Sequence, residues 1–146
     1  MTCTMANIRE QLRNNAVALT SLFIALSSLG YNTWRNERTE HNRSIRTAAF
    51  EILTKLAEFE RGVFLAHYDH DKSNGNPRVG WTYVIVIDDL AGVIPGKIGP
   101  RADELRKVWA ENWEGLGSDS DVAVDRIEAA VVNVRNAALE SLRSLR

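Results

Sequence analysis

No charged side chain lies between Arg13 and Arg35. The stretch Asn14–Trp34 covers 21 residues, and at 1.5 Å per residue it reaches roughly 30 Å as a helix, the thickness of a bilayer's hydrocarbon core. Leu19, Leu22, Phe23, Ile24, Leu26 and Leu29 supply most of its transfer energy, and Thr20, Ser21, Ser27, Ser28 and Gly30 weaken it. Small and hydroxyl residues at this density suit packing against another helix in lipid. Leu22, Ser27, Ser28 and Gly30 are therefore the expected packing positions. Tyr31 and Trp34 follow where amphipathic aromatics anchor at the membrane interface. The pattern predicts a tail over residues 1–13, a transmembrane helix over 14–34 and a helical domain over 35–146.

Two other readings compete. Arg9 and Arg13 followed by the apolar Ala16–Leu26 resemble a signal peptide, with small-x-small sites near Ser27 and Gly30, although Glu10 and the Asn14-Asn15 pair suit that reading poorly. A buried helix of a soluble domain is the third, disfavoured because apolar residues run all around the helix and not along one stripe. Flanking charge predicts orientation. Arg9 and Arg13 precede the span, whereas Arg35, Arg38, Arg43 and Arg46 follow it, which places the C-terminal domain in the cytoplasm. A signal peptide or a reversed orientation would make it periplasmic.

The formal charge is −1, from 18 basic and 19 acidic residues, which speaks against a nucleic-acid partner. Only Arg9, Glu10 and Arg13 of these precede Arg35, so the remainder of the chain is well solvated. Cys3 is the single cysteine, so no intrachain disulfide forms.

After the span, Ile45, Ala49, Ile52, Leu56, Phe59, Val63 and Ala66 alternate spacings of four and three, a heptad seam. Leu53, Ala57 and Phe64 widen it towards a bundle face. No Pro or Gly interrupts Tyr31–Arg61, so this helix can be continuous with the span, ending near Asp71. KSNGNP (Lys72–Pro77) reads as a turn, with Asn76 as N-cap and Pro77 at the first helical position. The run Tyr83–Ile87 alone resembles a strand, but Val84, Ile87, Ala91 and Ile94 keep helical spacing. The prediction is a helix over about residues 78–93, stopped by Pro95-Gly96. Pro100 opens the next helix, whose inner face carries Leu105, Val108, Trp109 and Leu116, and Gly115 and Gly117 close it. Ser118–Asp121 caps the last helix, with Val124, Ile127, Val131, Val134, Ala138 and Leu145 facing inward. The fold class is all-α: an N-terminal transmembrane helix followed by an antiparallel four-helix bundle.

AHYDHD (Ala66–Asp71) holds the densest set of possible ligands. His67, His70 and Asp71 are the candidate metal residues, an unspecific set without the Glu-x-x-His pairs of di-iron bundles; a polar helix end is the simpler reading. Asp88 interrupts an apolar run. A hairpin centred on residues 74–75 sets it level with Arg61, predicting a buried Arg61–Asp88 ion pair. GNPRVGW is no phosphate loop, since Pro77 removes an amide such a nest needs. RNERTEHNRSIR (Arg35–Arg46) offers four arginines to anionic lipid, diluted by Glu37 and Glu40. Trp81, Trp109 and Trp113 read as core or groove aromatics, and an exposed pair among them, Trp109 and Trp113 foremost, would mark a partner surface.

YNTWRNERTE (Tyr31–Glu40), together with FLAHYDHD, resembles a group of small uncharacterised bacterial membrane proteins in which one N-terminal span precedes a helical domain. The resemblance implies the bacterial inner membrane and carries no activity, cofactor or catalytic residue. The function expected is a non-enzymatic, single-pass accessory or docking subunit of a membrane assembly, with a protein partner or a second copy and no cofactor. The alternative is an anchored sensory four-helix domain binding a small ligand or metal near His67, His70 and Asp71.

Overall fold

The structure, a computed structural model, describes residue 13 and residues 15–71, 73–117 and 121–145. The N-terminal tail with Cys3, Asn14, Lys72, the expected cap Ser118–Ser120 and Arg146 lie outside these residues. Every regular element among the described residues is helical: α1 (Ala16–His67), α2 (Pro77–Ala91), α3 (Ile98–Asn112), a 3₁₀ turn (Trp113–Gly117) and α4 (Asp121–Ser144). The chain divides into two compact units, Met1–His41 and Asn42–Arg146.

α1 runs unbroken for 52 residues, as the absence of Pro throughout and of Gly between Tyr31 and Arg61 allows. Thr20, Thr39 and Thr54 turn their hydroxyls back onto the carbonyls of Ala16, Arg35 and Phe50, at 2.7, 2.9 and 3.1 Å, which satisfies them inside the helix. The helix stops at His67, short of the expected Asp71. His70 sits at φ 48°, a left-handed conformation that His tolerates better than most residues. This turns the chain so that the Asp71 N–H donates to the Leu65 carbonyl at 3.0 Å.

The second unit is a helical bundle around one apolar core. All seven seam residues from Ile45 to Ala66 are buried, and Ala48 joins them. Leu53 is half-buried against the core, while Ala57 and Phe64 are exposed, so the stripe is narrower than the sequence pattern suggests. α2 contributes Val84, Ile87 and Ala91, α3 Ile98, Ala102, Leu105 and Trp109, and α4 Val124, Ile127, Val131, Val134 and Ala138. Each buried Val, Leu or Ile side chain stabilises by about 1.5–3 kcal/mol relative to exposure, and each alanine methyl by less. The strand-like run Tyr83–Ile87 is helical, because only the 3.6-residue period puts Val84, Ile87 and Ala91 on one face.

Asn76 caps α2, its Oδ1 accepting the Arg78 N–H at 3.0 Å, with Pro77 following it. α2 ends at Ala91, with Gly92 as its C-cap. Gly96 adopts φ 109°, a conformation that favours glycine. α3 begins at Ile98, two residues before Pro100, and passes into the 3₁₀ turn through Trp113.

Two glycines of GNPRVGW permit close approach. A Cβ on Gly80 would lie 2.7 Å from Cη2 and 2.9 Å from Cε2 of Trp109, and one on Gly75 would lie 2.6 Å from the Leu65 carbonyl carbon. Gly80→Ala is expected to lower stability by about 1–3 kcal/mol, the usual cost of overpacking. Gly75→Ala meets rigid backbone and should lose at least as much. Denaturant melts of the two variants check this ordering.

Candidate functional site

The first unit carries an uncovered apolar surface. Val17, Leu19, Leu22, Phe23, Ile24, Leu26 and Leu29 are all exposed, as are Ser27, Ser28 and Gly30. The most apolar 18-residue window of α1 has mean hydropathy 1.3, and none of that window is buried. Tyr31 and Trp34 stand at its C-terminal end with ring centroids 6.1 Å apart, and the Arg38 guanidinium lies 5.7 Å from the Trp34 ring centroid.

The structure does not assemble the metal ligands anticipated around AHYDHD. His67 is 6% exposed; its Nε2 lies 3.2 Å from Asp121 Oδ1 at the start of α4, and its Nδ1 is buried without a hydrogen-bond partner among the described residues. Asp71 belongs to the turn. It accepts the Ser73 and Asn74 N–H groups at 2.9 and 3.0 Å and the Asn74 side-chain amide at 2.7 Å. Those bonds, the Asn74 side chain foremost, hold its carboxyl below the ordinary carboxylate range. His70 and Asp71 border a shallow cleft with Arg78, whose cation disfavours a metal ion. Among the described residues no three ligating side chains converge. The physical reason is the helix end: with α1 stopping at His67, His67 and Asp71 no longer share a helical face.

The expected Arg61–Asp88 pair does not form. Asp88 Oδ2 meets Arg106 Nε of α3 at 3.2 Å, with the Asp88 side chain 29% exposed, so the pair is half-buried and joins different helices. Arg106 also donates to Asp103 at 3.2 Å, and Lys107 donates to Asp103 at 2.6 Å. The Lys107 bond, with that of Arg106, lowers the Asp103 carboxyl. Asp88 is carried towards α3 by its phase on α2, which the hairpin count between α1 and α2 ignores.

Trp109 is closed to a partner, and with it the expected Trp109–Trp113 pair. Trp109 is 1% exposed and packs edge-on against Phe59 of α1, centroids 4.9 Å apart at 73°; Trp113 is half-buried against the core. Trp109 forms part of a cleft of about 180 Å³ whose walls also include Phe59, Gly80 and Leu116, with Glu58, Arg61 and Tyr83 around it. Glu58 is engaged by Lys55 at 2.9 Å. The sequence pattern did not reveal this cleft, although Gly62 and Gly80, which line it, were visible as small residues on helical faces. Exposed aromatics occur elsewhere in this unit: Phe50 and Phe64 of α1 and Tyr68 just beyond its end are more than half exposed, with the Phe64 and Tyr68 rings 5.0 Å apart.

No family model, curated protein or solved structure matches the chain.

Two outcomes follow from this geometry. A double-mutant cycle on Asp88 and Arg106 should give a coupling of about 0.2–1 kcal/mol, the range of partly exposed pairs, while Arg61→Ala should couple to Asp88 not at all. For Asp71 the folded carboxyl titrates lower than the unfolded one. Its contribution is therefore complete above the unfolded value and disappears as pH falls through the folded one. NMR titration should find the Ser73 and Asn74 amide resonances steady down to about pH 4 and moving below it, with the step absent in Asp71→Asn.

Proposed function

We propose that the chain is a non-enzymatic, single-pass membrane protein of the bacterial inner membrane, and that its helical bundle docks a protein partner or a second copy within a membrane assembly. The observation that carries the reading is the exposure of the apolar window of α1. A core helix of a soluble domain hides such a window, whereas here its leucines, Ile24 and Phe23 face outward along some five turns. Monomeric soluble proteins rarely leave so large a contiguous apolar surface in water. Lipid covers it without a further protein chain. The internal hydrogen bond of Thr20 lowers the cost of placing a hydroxyl there.

The bundle is read as antiparallel. Glu60 of α1 pairs with Arg135 of α4, and His67, further along α1, meets Asp121, earlier on α4; opposite chain order at the two contacts supports this arrangement. The excess of Lys/Arg after the span supports a cytoplasmic bundle. For docking, the exposed Phe50, Phe64 and Tyr68 take the place of Trp109 and Trp113 as the surface offered to a partner.

Carbonate washing tests the anchor. The full chain is expected to stay in the membrane pellet at its full mass, and release into the supernatant, whether clipped near Ser27 or intact, overturns the reading. Gentle detergent extraction tests docking. A defined companion or a self-association that Phe64→Ala and Tyr68→Ala weaken is expected, and a lone monomer rejects the docking role.

A further inference from the structure

Beyond the hydrophobic span, we propose that Tyr31, Trp34, Arg35 and Arg38 form a binding face for the headgroup of an anionic phospholipid; this rests on the membrane reading above. The four residues stand at i, i+3, i+4 and i+7 on one continuous helix, the spacing that gathers side chains onto a single face. Ile24 and Ser27, seven and four residues before Tyr31, continue that face into the apolar segment. Glu37 and Glu40 fall six and nine positions after Tyr31. At 100° per residue they point well away from the arginines. The acidic residues that dilute the charge in the linear sequence are thus separated from it in space.

Side chains on a helix lean towards its N-terminus, which here is the direction of the apolar segment. Arg38 does so: its guanidinium reaches back one turn to lie 5.7 Å from the Trp34 ring centroid. Tyr31 and Trp34 are themselves exposed and adjacent. The Arg38 guanidinium is therefore presented beside the aromatics at the end of the apolar run, and Arg35 shares their helix face by its spacing. A phosphodiester accepts paired N–H donors from arginine, the rings suit the glycerol and carbonyl level, and the small Ser27 leaves room for an acyl chain. A soluble phosphate would use only the charged half of this face. The occupant is thus a lipid of net negative charge, such as phosphatidylglycerol.

The test uses the full chain in vesicles. Flotation with pure phosphatidylcholine vesicles comes first. The chain is expected to float, and one that stays behind overturns the anchor itself, and this proposal with it. Quenching by brominated lipid, taken as the difference between the wild type and Trp34→Phe, then compares phosphatidylglycerol with phosphatidylcholine. The wild type should prefer the anionic lipid roughly thirtyfold, about fivefold for each arginine. Arg35→Gln/Arg38→Gln should float equally well and lose the preference, whereas Glu37→Gln should keep it. Equal quenching by the two lipids, or a preference that survives in the double variant, overturns the headgroup face while leaving the anchor standing. Loss of the wild-type preference on adding inorganic phosphate at matched ionic strength also overturns it, by making the site one for soluble phosphate.

Discussion

An unbroken α-helical backbone has to satisfy two environments, and the rest of the molecule is arranged around that constraint. α1 is continuous from Ala16 to His67, yet its side chains change character along its length. Around Leu22 the apolar residues are exposed on all sides; from Ile45 to Ala66 they narrow to a seam that is buried against the other helices. The backbone hydrogen bonds are the same in both parts. What differs is whether the apolar surface is covered by this chain or left exposed.

Within the bundle, the seam meets α3 at Trp109 through Phe59. Phe59 presses on one side of the indole, and α2 comes in close because Gly80 has no Cβ. Gly75 does the same for the turn against the backbone at Leu65 and Ala66. GNPRVGW, whose glycines superficially suggest a phosphate loop, is a packing device, and the indole that the sequence offers to a partner is what the glycine packs on. Polar contacts finish the arrangement at its edges. Asp71 organises the turn, Asn76 starts α2, and Lys97 meets Glu140 at 3.0 Å. Such exposed or half-exposed bonds fix register more than they add stability.

The proposed membrane role and the bundle core make opposite demands on aromatic residues. Trp109 and Phe59 are consumed in the core, so the aromatics left for contact include Phe23, Tyr31 and Trp34 in the first unit and Phe50, Phe64 and Tyr68 in the second. Arginine divides in the same way. Arg106 and Arg135 are held by carboxylates across helices, whereas the Arg38 guanidinium lies over the Trp34 indole, 5.7 Å from its centroid. The surface available for recognition is thus the remainder after packing, and composition alone does not reveal it.

The sequence by itself determined the helical class, the continuity of α1, the identity of its buried seam, the Asn76–Pro77 start of α2 and the inward faces of α3 and α4. Each follows from local periodicity or from a residue whose backbone preference admits few alternatives. Only the tertiary structure decided which helix receives Asp88, that Trp109 packs between Phe59 and Gly80, that His67 turns towards Asp121 and that Asp71 serves a turn. These depend on the rotational phase of one helix against another and on where α1 stops. A shift of one residue turns a side chain by about 100°, so a linear count cannot name a partner across the bundle, however regular the helices are.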